Sequence, residues 1–464
     1  MSTAITAPTY DPTSTATALA QKAIASAQSM LTNQTNAASA TAAALTQLGS
    51  AISTFQTSLA SLGGLGKSIL AQSATLSDST VASASAKSTA TAGSYSLKVD
   101  QLATASQVSF TPPQDPQQAS GSLTISFAAT NPLPGTGASP ITVDLSTADT
   151  DGAAGLSVRE IAAAINNAPT NAGKVSAGVV TINGVAQLVL TSKNTGAANN
   201  LWVQSSPPTS GPLPAYSLGA PHPITQAQDA TVEINGSPIT QSSNTFGNID
   251  GVSFTINHTT TSPVTLTVAS DSTGTTANAQ AFVDAYNKLK STIDGMLNPG
   301  DPTKSKAAGS FAGDAGVKAL QTRMVDLLRP SGNLSLASYG ITANRDGSLS
   351  LDSTRLNKQL AVNPTGLDQL MGSASLSGSS GVLGALNTYL NQWSDAANGQ
   401  IQQRTSSNTK LQSSLTKRQD DLNTQYDAAY QRYLKQFTTL QTLQATMNSN
   451  VSMFDAMFGN DKSA

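Results

Sequence analysis

A chain of 464 residues with 11% charged and 5% aromatic side chains, a net charge of −2 and no cysteine excludes several classes of protein together. It has no basic field to gather nucleic acid or anionic lipid, so neither nucleic acid nor a membrane surface is expected as a partner. Disulfides, thiolate metal centres and cysteine nucleophiles are ruled out, and at roughly 150 residues per domain the length predicts two to four domains.

Residues 1–10 carry neither a basic n-region nor an apolar h-region, and no run of about 18 apolar residues follows. Export, if the protein leaves the cell, is therefore expected to bypass the signal-peptide route. From 16 to 62 the chain is nearly free of Gly and Pro and rich in Ala and Gln, which predicts a long helix. Its apolar positions step by threes and fours through Ile24, Leu31 and Ala38 to Leu45, Leu48, Ile52, Phe55, Leu59 and Leu62, a heptad seam that firms towards its end. Gly63-Gly64-Leu65-Gly66 stops it.

Between 71 and 270 the apolar period falls to two. Segments 95–99, 122–127, 187–191 and 265–268 predict strands, and Asn183-Gly184 and Asn235-Gly236 predict tight type I′ hairpins. One helix interrupts at 157–166, with Val158, Ile161 and Ile165 on one face. A Pro/Ser/Gly-rich linker at 205–223 marks the best internal boundary. The helical period returns at 277–297 with Phe282, Tyr286, Leu289 and Ile293 on a buried face, and Asp346-Gly347 turns a short hairpin at 344–351. From 383 to 458 the pattern is again helical. A second seam runs through Leu422, Tyr426, Ala429, Tyr433, Phe437, Leu440, Met447, Val451, Phe454 and Phe458, continued upstream by Trp393, Ala397, Ile401, Leu411 and Leu415, with Arg404, Asn408 and Arg418 interrupting. Both ends thus carry seams that need cover, supplied either by one another in a helical hairpin or by another molecule.

No constellation supports catalysis, a cofactor or a metal. His222 and His258 each stand alone, without a second ligand at metal spacing. Asp149-Thr150-Asp151-Gly152 has Glu160 at the twelfth position of a calcium loop, but Ala153 and Ala154 stand where a ligand and the sharp-turn glycine belong, so a solvated turn is expected. Phosphate-loop and nucleophile-elbow motifs are missing. Asp284, Asp294, Asp314 and Asp326 sit at spacings that suit exposed helix faces; a glycosidase pair among the carboxylates would meet only in the fold.

The run from Ala92-Gly93-Ser94-Tyr95 through Val99-Asp100-Gln101-Leu102-Ala103 resembles the segment entering the head of the flagellar hook-associated protein 2 family. The helix ending Ala164-Ile165-Asn166, followed by 175–177, 188–192 and Thr195-Gly196, is similar to a repeat of flagellin-type and hook-associated proteins. Phe282-Val283-Asp284-Ala285-Tyr286-Asn287, with Gly313-Asp314, Gly340-Ile341, Asp346-Gly347 and Asn363-Pro364 in order behind it, resembles the C-terminal half of the same family. The resemblance runs from about residue 59 to the C-terminus. At the N-terminus Tyr10-Asp11-Pro12-Thr13 replaces the family's usual Ser-Gly-Leu-Asp, and flagellin's Ile-Asn-Thr-Asn opening is absent.

The resemblance implies an α+β multidomain fold: N- and C-terminal helices forming a coiled-coil leg, a helical middle domain, and mainly antiparallel β head domains inserted between the helical halves. The expected divisions are 1–70 (leg helix), 71–118 (entry strands of the first β domain), 119–205 (second β domain), 206–274 (linker and return strands), 275–382 (helical middle) and 383–464 (leg helix). It further implies a filament cap at the distal tip of the flagellum, exported by the flagellar type III system. The cap would be a ring of usually about five copies, with flagellin, the hook-filament junction protein and an export chaperone on the C-terminal helix as partners. Leu45, Leu48, Ile52, Phe55, Leu59, Leu422, Tyr426, Tyr433, Phe437 and Leu440 are the expected assembly residues; the rival is that they hold one protomer's own hairpin together. Two other classes stand beside the cap: an adhesin binding host glycans through its β domains, and an enzyme carried in the head.

Overall fold

The computed structural model describes residues 11–112, 121–131, 140–152, 155–206, 216–329 and 334–458. The chain divides into two compact units, one formed by 1–69 with 276–464 and the other by 70–275.

The helical unit opens with α1 (Pro12–Gly63). Asp11 caps it, accepting from the N–H of Ser14 (2.8 Å) and of Thr13 (3.4 Å), and Pro12 fills the first helical position, where no N–H is needed. The sequence that departs from the family pattern is thus a competent helix start; Tyr10 lies outside the described residues. At the other end Gly63 is packed so closely that a Cβ there would lie 2.5 Å from a Leu383 methyl.

The β unit runs β1 (Ala71–Leu76), β2 (Ala82–Ala86), β3 (Gly93–Gln101), β4 (Ala105–Phe110), β5 (Ser122–Phe127), β6 (Ile141–Asp144), α2 (Val158–Asn167), β7 (Val175–Ile182), β8 (Val185–Thr195), β9 (Leu201–Ser206) and β10 (Pro221–Thr225). It ends with β11 (Ala230–Ile234), β12 (Ser237–Gln241), β13 (Thr245–Ile249), β14 (Val252–Ile256) and β15 (Val264–Asp271). Neighbouring strands pair antiparallel. Asn183 and Gly184, like Asn235 and Gly236, all have positive φ, the conformation a two-residue type I′ turn requires. Ser157 and Glu160 form a reciprocal capping box at the start of α2.

Two cores hold the unit. In the first, the sheet β1-β15-β3-β11-β12 and the sheet β13-β14-β2 bury Leu97, Val99, Val232 and Leu266 with Phe246 and Phe254. The two phenyl rings, opposite each other across β13 and β14, stack at 5.3 Å. The second core joins β10-β4-β8-β7, β6-β5-β9 and α2 around Phe110, Leu123, Ile141, Ile161, Ile165 and Leu190. β4, which the division at 118 groups with the entry strands, contributes Val108 and Phe110 to this second core, and β10 pairs with it. Alternation shows that a strand has a buried face; it does not show which core that face meets. The division at 118–119 and residues 207–215 of the linker lie outside the described residues, while Tyr216 and Leu218 beyond them are buried in the second core.

The chain completes the helical unit with α3 (Ser272–Leu297), α4 (Ala315–Asp326), β16 (Ile341–Ala343), β17 (Leu349–Leu351), α5 (Ser353–Val362), α6 (Gly366–Met371), α7 (Gly381–Ser394) and α8 (Gln400–Phe458). The Phe-Val-x-x-Tyr-Asn stretch has a clear physical job. Phe282, Val283 and Tyr286 are buried, and Asn287 grips the β16–β17 hairpin by accepting from the N–H of Leu349 (2.7 Å) and donating to its carbonyl (2.8 Å). The expected single C-terminal helix is broken between α7 and α8, where Asp395 accepts from the N–H of Ala397 (3.1 Å) and of Asn398 (2.7 Å) to make a turn.

Candidate assembly surface

The heptad stripes of α1 and α8 meet each other. The helices run antiparallel: Gly49 lies against Ile401, Asn408 Nδ2 donates to the carbonyl of Ala38 (2.9 Å), and Gln28 and Gln419 exchange amide bonds of 3.0 Å. Leu31, Ala38, Leu415 and Leu422 form a shared cluster with Ile24 at its edge. Asn408, an interruption in the stripe, is thus a buried polar contact that fixes register.

Leu45, Leu48, Ile52, Phe55 and Leu59 are buried, as is Leu422, so in this structure six of the ten expected assembly residues belong to the protomer's own interior. The ring of Phe55 lies 6.5 Å from that of Phe282 and 6.3 Å from that of Tyr286. Tyr426, Tyr433 and Phe437 are half-buried; Tyr426 stacks on Tyr430 at 6.3 Å, and the guanidinium of Arg432 sits 5.0 Å from the Tyr433 ring. Leu440 is exposed. Leu411, although at seam spacing, is also exposed.

The exposure of Leu440 has a geometric cause. The register with α1 puts Pro12 opposite about residue 436, so roughly 20 residues of α8, some 30 Å, run past the start of α1. Along this overhang Leu440, Leu443, Met447 and Val451 are 44%, 57%, 52% and 42% exposed and step by threes and fours, forming one apolar ridge. Leu443 is part of that ridge although it falls off the strict heptad. The side chain of Phe458, last in the expected seam, lies outside the described residues.

At the other end of α8, Arg404 clamps Asp314 with two bonds (2.5 and 3.1 Å) and lies 5.5 Å from the centre of the Trp393 ring. Asp314 also caps α4, accepting from the N–H of Val317 (2.9 Å). The bonds from Arg404 hold its carboxyl below the usual range. The exposed-face expectation for Asp314 is therefore corrected: it is half-buried and structural, a pairing across 90 residues that no local spacing shows.

The hydroxyl of Tyr286 is buried and meets no hydrogen-bond partner among the described residues. Desolvation pushes its pKa up. An unpartnered buried hydroxyl costs stability, so Tyr286→Phe should raise the unfolding free energy of the helical unit by about 1 kcal/mol. Urea titration followed by circular dichroism would check this; a loss of stability would show that the hydroxyl has a partner.

Asp149, Asp151 and Glu160 bring one oxygen each within 4.8 Å of one another. Glu160, however, is already engaged: Oε1 accepts from the N–H (2.7 Å) and hydroxyl (3.1 Å) of Thr150, and Oε2 from the N–H and hydroxyl of Ser157, both at 2.9 Å. With Asp149, which accepts from the N–H of Gly152 (2.8 Å), it ties the loop to the start of α2; residues 153 and 154 lie outside the described residues. The Thr150 and Ser157 N–H groups are the main reasons its pKa falls from 4.5 to about 2. A depressed carboxylate adds stability above the unfolded pKa, and that contribution fades as pH falls from 4.5 towards 2. Glu160→Gln should therefore cost about 1–3 kcal/mol at neutral pH and remove this part of the acid sensitivity. Thermal melts of both proteins between neutral and acid pH would check it, and parallel pH profiles would count against it. His222 lies on β10, and Nδ1 of exposed His258 is 2.9 Å from the carbonyl of Thr80.

A β unit inserted between two segments that together build one helical unit, with a long antiparallel helix pair formed from the two ends of that unit, defines a multidomain α+β protein. The models of the flagellar hook-associated protein 2 N-terminus and C-terminus match residues 9–106 and 227–449. The chain is 33% identical over 382 residues to the lateral flagellar hook-associated protein 2 of Vibrio parahaemolyticus, covering 78% of this chain and 81% of that one. It is 32% identical over 404 residues to the B-type flagellar hook-associated protein 2 of Pseudomonas aeruginosa, covering 82% and 81%. Among solved structures, the D1-D2-D3 domains of the flagellar cap protein FliD from Escherichia coli match with a TM-score of 0.57 and 28% identity, over 79% of this chain and 99% of that one. The chain belongs to the flagellar hook-associated protein 2 family. The span between the two matched models, 107–226, holds most of the second β core.

Proposed function

We propose that this protein caps the growing flagellar filament, retaining exported flagellin at the tip while it folds and polymerises. The observation that carries this reading to particular residues is the apolar ridge of α8, from Leu440 to Val451, which overhangs α1. A ridge of that length, at helical spacing, suits helix partners in an assembly. The interface role passes from the buried Leu45–Leu59 stripe to this overhang, with Tyr433 and Phe437 at its root. Ring assembly, in about five copies by family resemblance, contact with flagellin and the hook-filament junction protein, and an export chaperone shielding the same helix are parts of this proposal. So is passage through the flagellar type III channel, which the absence of cysteine suits.

The role is structural, since capping makes and breaks no covalent bond. The adhesin reading draws no support from the relatives named above, which are described as flagellar hook-associated or cap proteins. The test is addition of the purified protein to cells lacking the gene: filament growth should resume and flagellin should stop accumulating in the medium. Continued loss of flagellin with folded protein present would contradict the proposal.

A further inference from the structure

At the exit of α2, three side chains reach the outer main-chain groups of strands in both sheets of the second core. Asn166 donates from Nδ2 to the carbonyl of Ala177 (2.8 Å) and accepts from the Ala177 N–H at Oδ1 (2.9 Å). Asn171 does the same at Val175, 2.9 Å in each direction, and donates also to the carbonyl of Ile165 at the end of the helix (2.9 Å). Thr170 Oγ1 accepts from the N–H of Thr142 (3.1 Å) and donates to its carbonyl (3.3 Å). β7 is the outer strand of the four-stranded sheet and β6 the outer strand of the three-stranded one. A carboxamide presents one acceptor and a donor side by side, as a peptide group does, so each Asn offers β7 what a neighbouring strand would offer.

β7 needs such cover. An edge strand with open N–H and C=O groups is a template for another chain, and proteins usually blunt it with Pro or charge. The opposite edge, β10, carries Pro221 and Pro223, which cannot donate. β7 reads Val-Ser-Ala-Gly-Val-Val-Thr-Ile, with neither device, and Val180 and Ile182 are exposed. Alternation along the ladder turns Val179 and Thr181 to the same side as Val175 and Ala177. Among the described residues, no bond to the outward groups of that second pair is found.

We infer that Asn166, Asn171 and Thr170 act as a surrogate strand that keeps the β7 and β6 edges from pairing with a second copy of this chain. With Asn166 and Asn171 in place, the outward groups left open on β7 are confined to Val179 and Thr181, too short a run for a ladder. The inference stands on these bonds alone and does not depend on the capping role. That role would sharpen the need, because copies held side by side meet at high effective concentration.

The test is Asn166→Ala in the full-length chain. The variant should keep a cooperative melt and self-associate more tightly than wild type by roughly tenfold or more in sedimentation velocity. Adding Val179→Lys should return association to the wild-type level, since a lysine on the edge repels a second strand. A folded Asn166→Ala protein that associates no more than wild type, or association that Val179→Lys leaves unchanged, would overturn the inference. Should the variant not fold, amide exchange of the wild-type protein decides. The Val175 and Ala177 amides should exchange slowly and those of Val179 and Thr181 fast, and equal rates at all four positions would overturn it.

Discussion

Replacing Leu440 and Leu443 together with glutamate should abolish filament growth while leaving the unfolding of the isolated chain within about 0.5 kcal/mol of wild type. Leu440 and Leu443 are 44% and 57% exposed, so neither is part of the protomer's closed core, and glutamate has a helix propensity close to that of leucine. In an assembly that buries the ridge the account is different. Each leucine contributes about 1.5–3 kcal/mol when fully covered, and each carboxylate adds a desolvation penalty in its place. Repeated in every copy of the cap, that loss is large. Electron microscopy of cells carrying the variant, beside melts of the purified protein, makes the comparison. Filaments of normal length would remove the overhang from the assembly surface, and a collapse of stability would show that the ridge is already covered within the chain.

Phe55→Ala should have the opposite profile, costing about 3–5 kcal/mol of folding free energy in the helical unit. Phe55 sits where α1 meets α3, in edge and tilted contact with Tyr286 and Phe282, and its removal leaves a cavity among rings that cannot close up without moving a helix. The two tryptophans make the unit resolvable: Trp393 is in the helical unit and Trp202 in the β unit. In a Trp202→Phe background, denaturant titration followed by the remaining indole should show the midpoint of the helical unit falling sharply. A shift worth less than about 1 kcal/mol would mean that the cluster is not the keystone of that unit.

These two variants separate what the sequence shows from what only the fold supplies. The seam from Leu45 to Leu59 is visible in sequence because an amphipathic helix repeats its apolar residues every three or four positions, and every one of those five side chains is buried. What covers them is not visible. Periodicity is a property of one helix, and the choice between a partner in the same chain and one in another depends on register. Asn408, Gln28 and Gln419 set that register from positions nearly 400 residues apart; local reading treats Asn408 as a flaw in a stripe and gives the two glutamines no role. The hairpins at Asn183-Gly184 and Asn235-Gly236 are legible because their chemistry is local.

The side-chain amides were illegible for the converse reason. Asn166 and Asn287 each answer both main-chain groups of a single residue 11 and 62 positions away, and Asn244 does so at Ala103, accepting its N–H (2.7 Å) and donating to its carbonyl (2.9 Å). In a chain poor in charge, these amides do much of the work of fixing elements in place. Sequence alone places Asn166 and Asn287 on helices but does not show which main-chain groups they hold. The apolar ridge beyond residue 437 lay between these extremes: its apolar character was plain, but its exposure follows from where α1 begins, which only the register reveals.

Deletion of the gene in its host, with filaments examined on the cell surface and flagellin measured in the culture supernatant, tests capping most directly. Short or missing filaments with unpolymerised flagellin in the medium are the expected result. Full-length filaments with no loss of flagellin would contradict it.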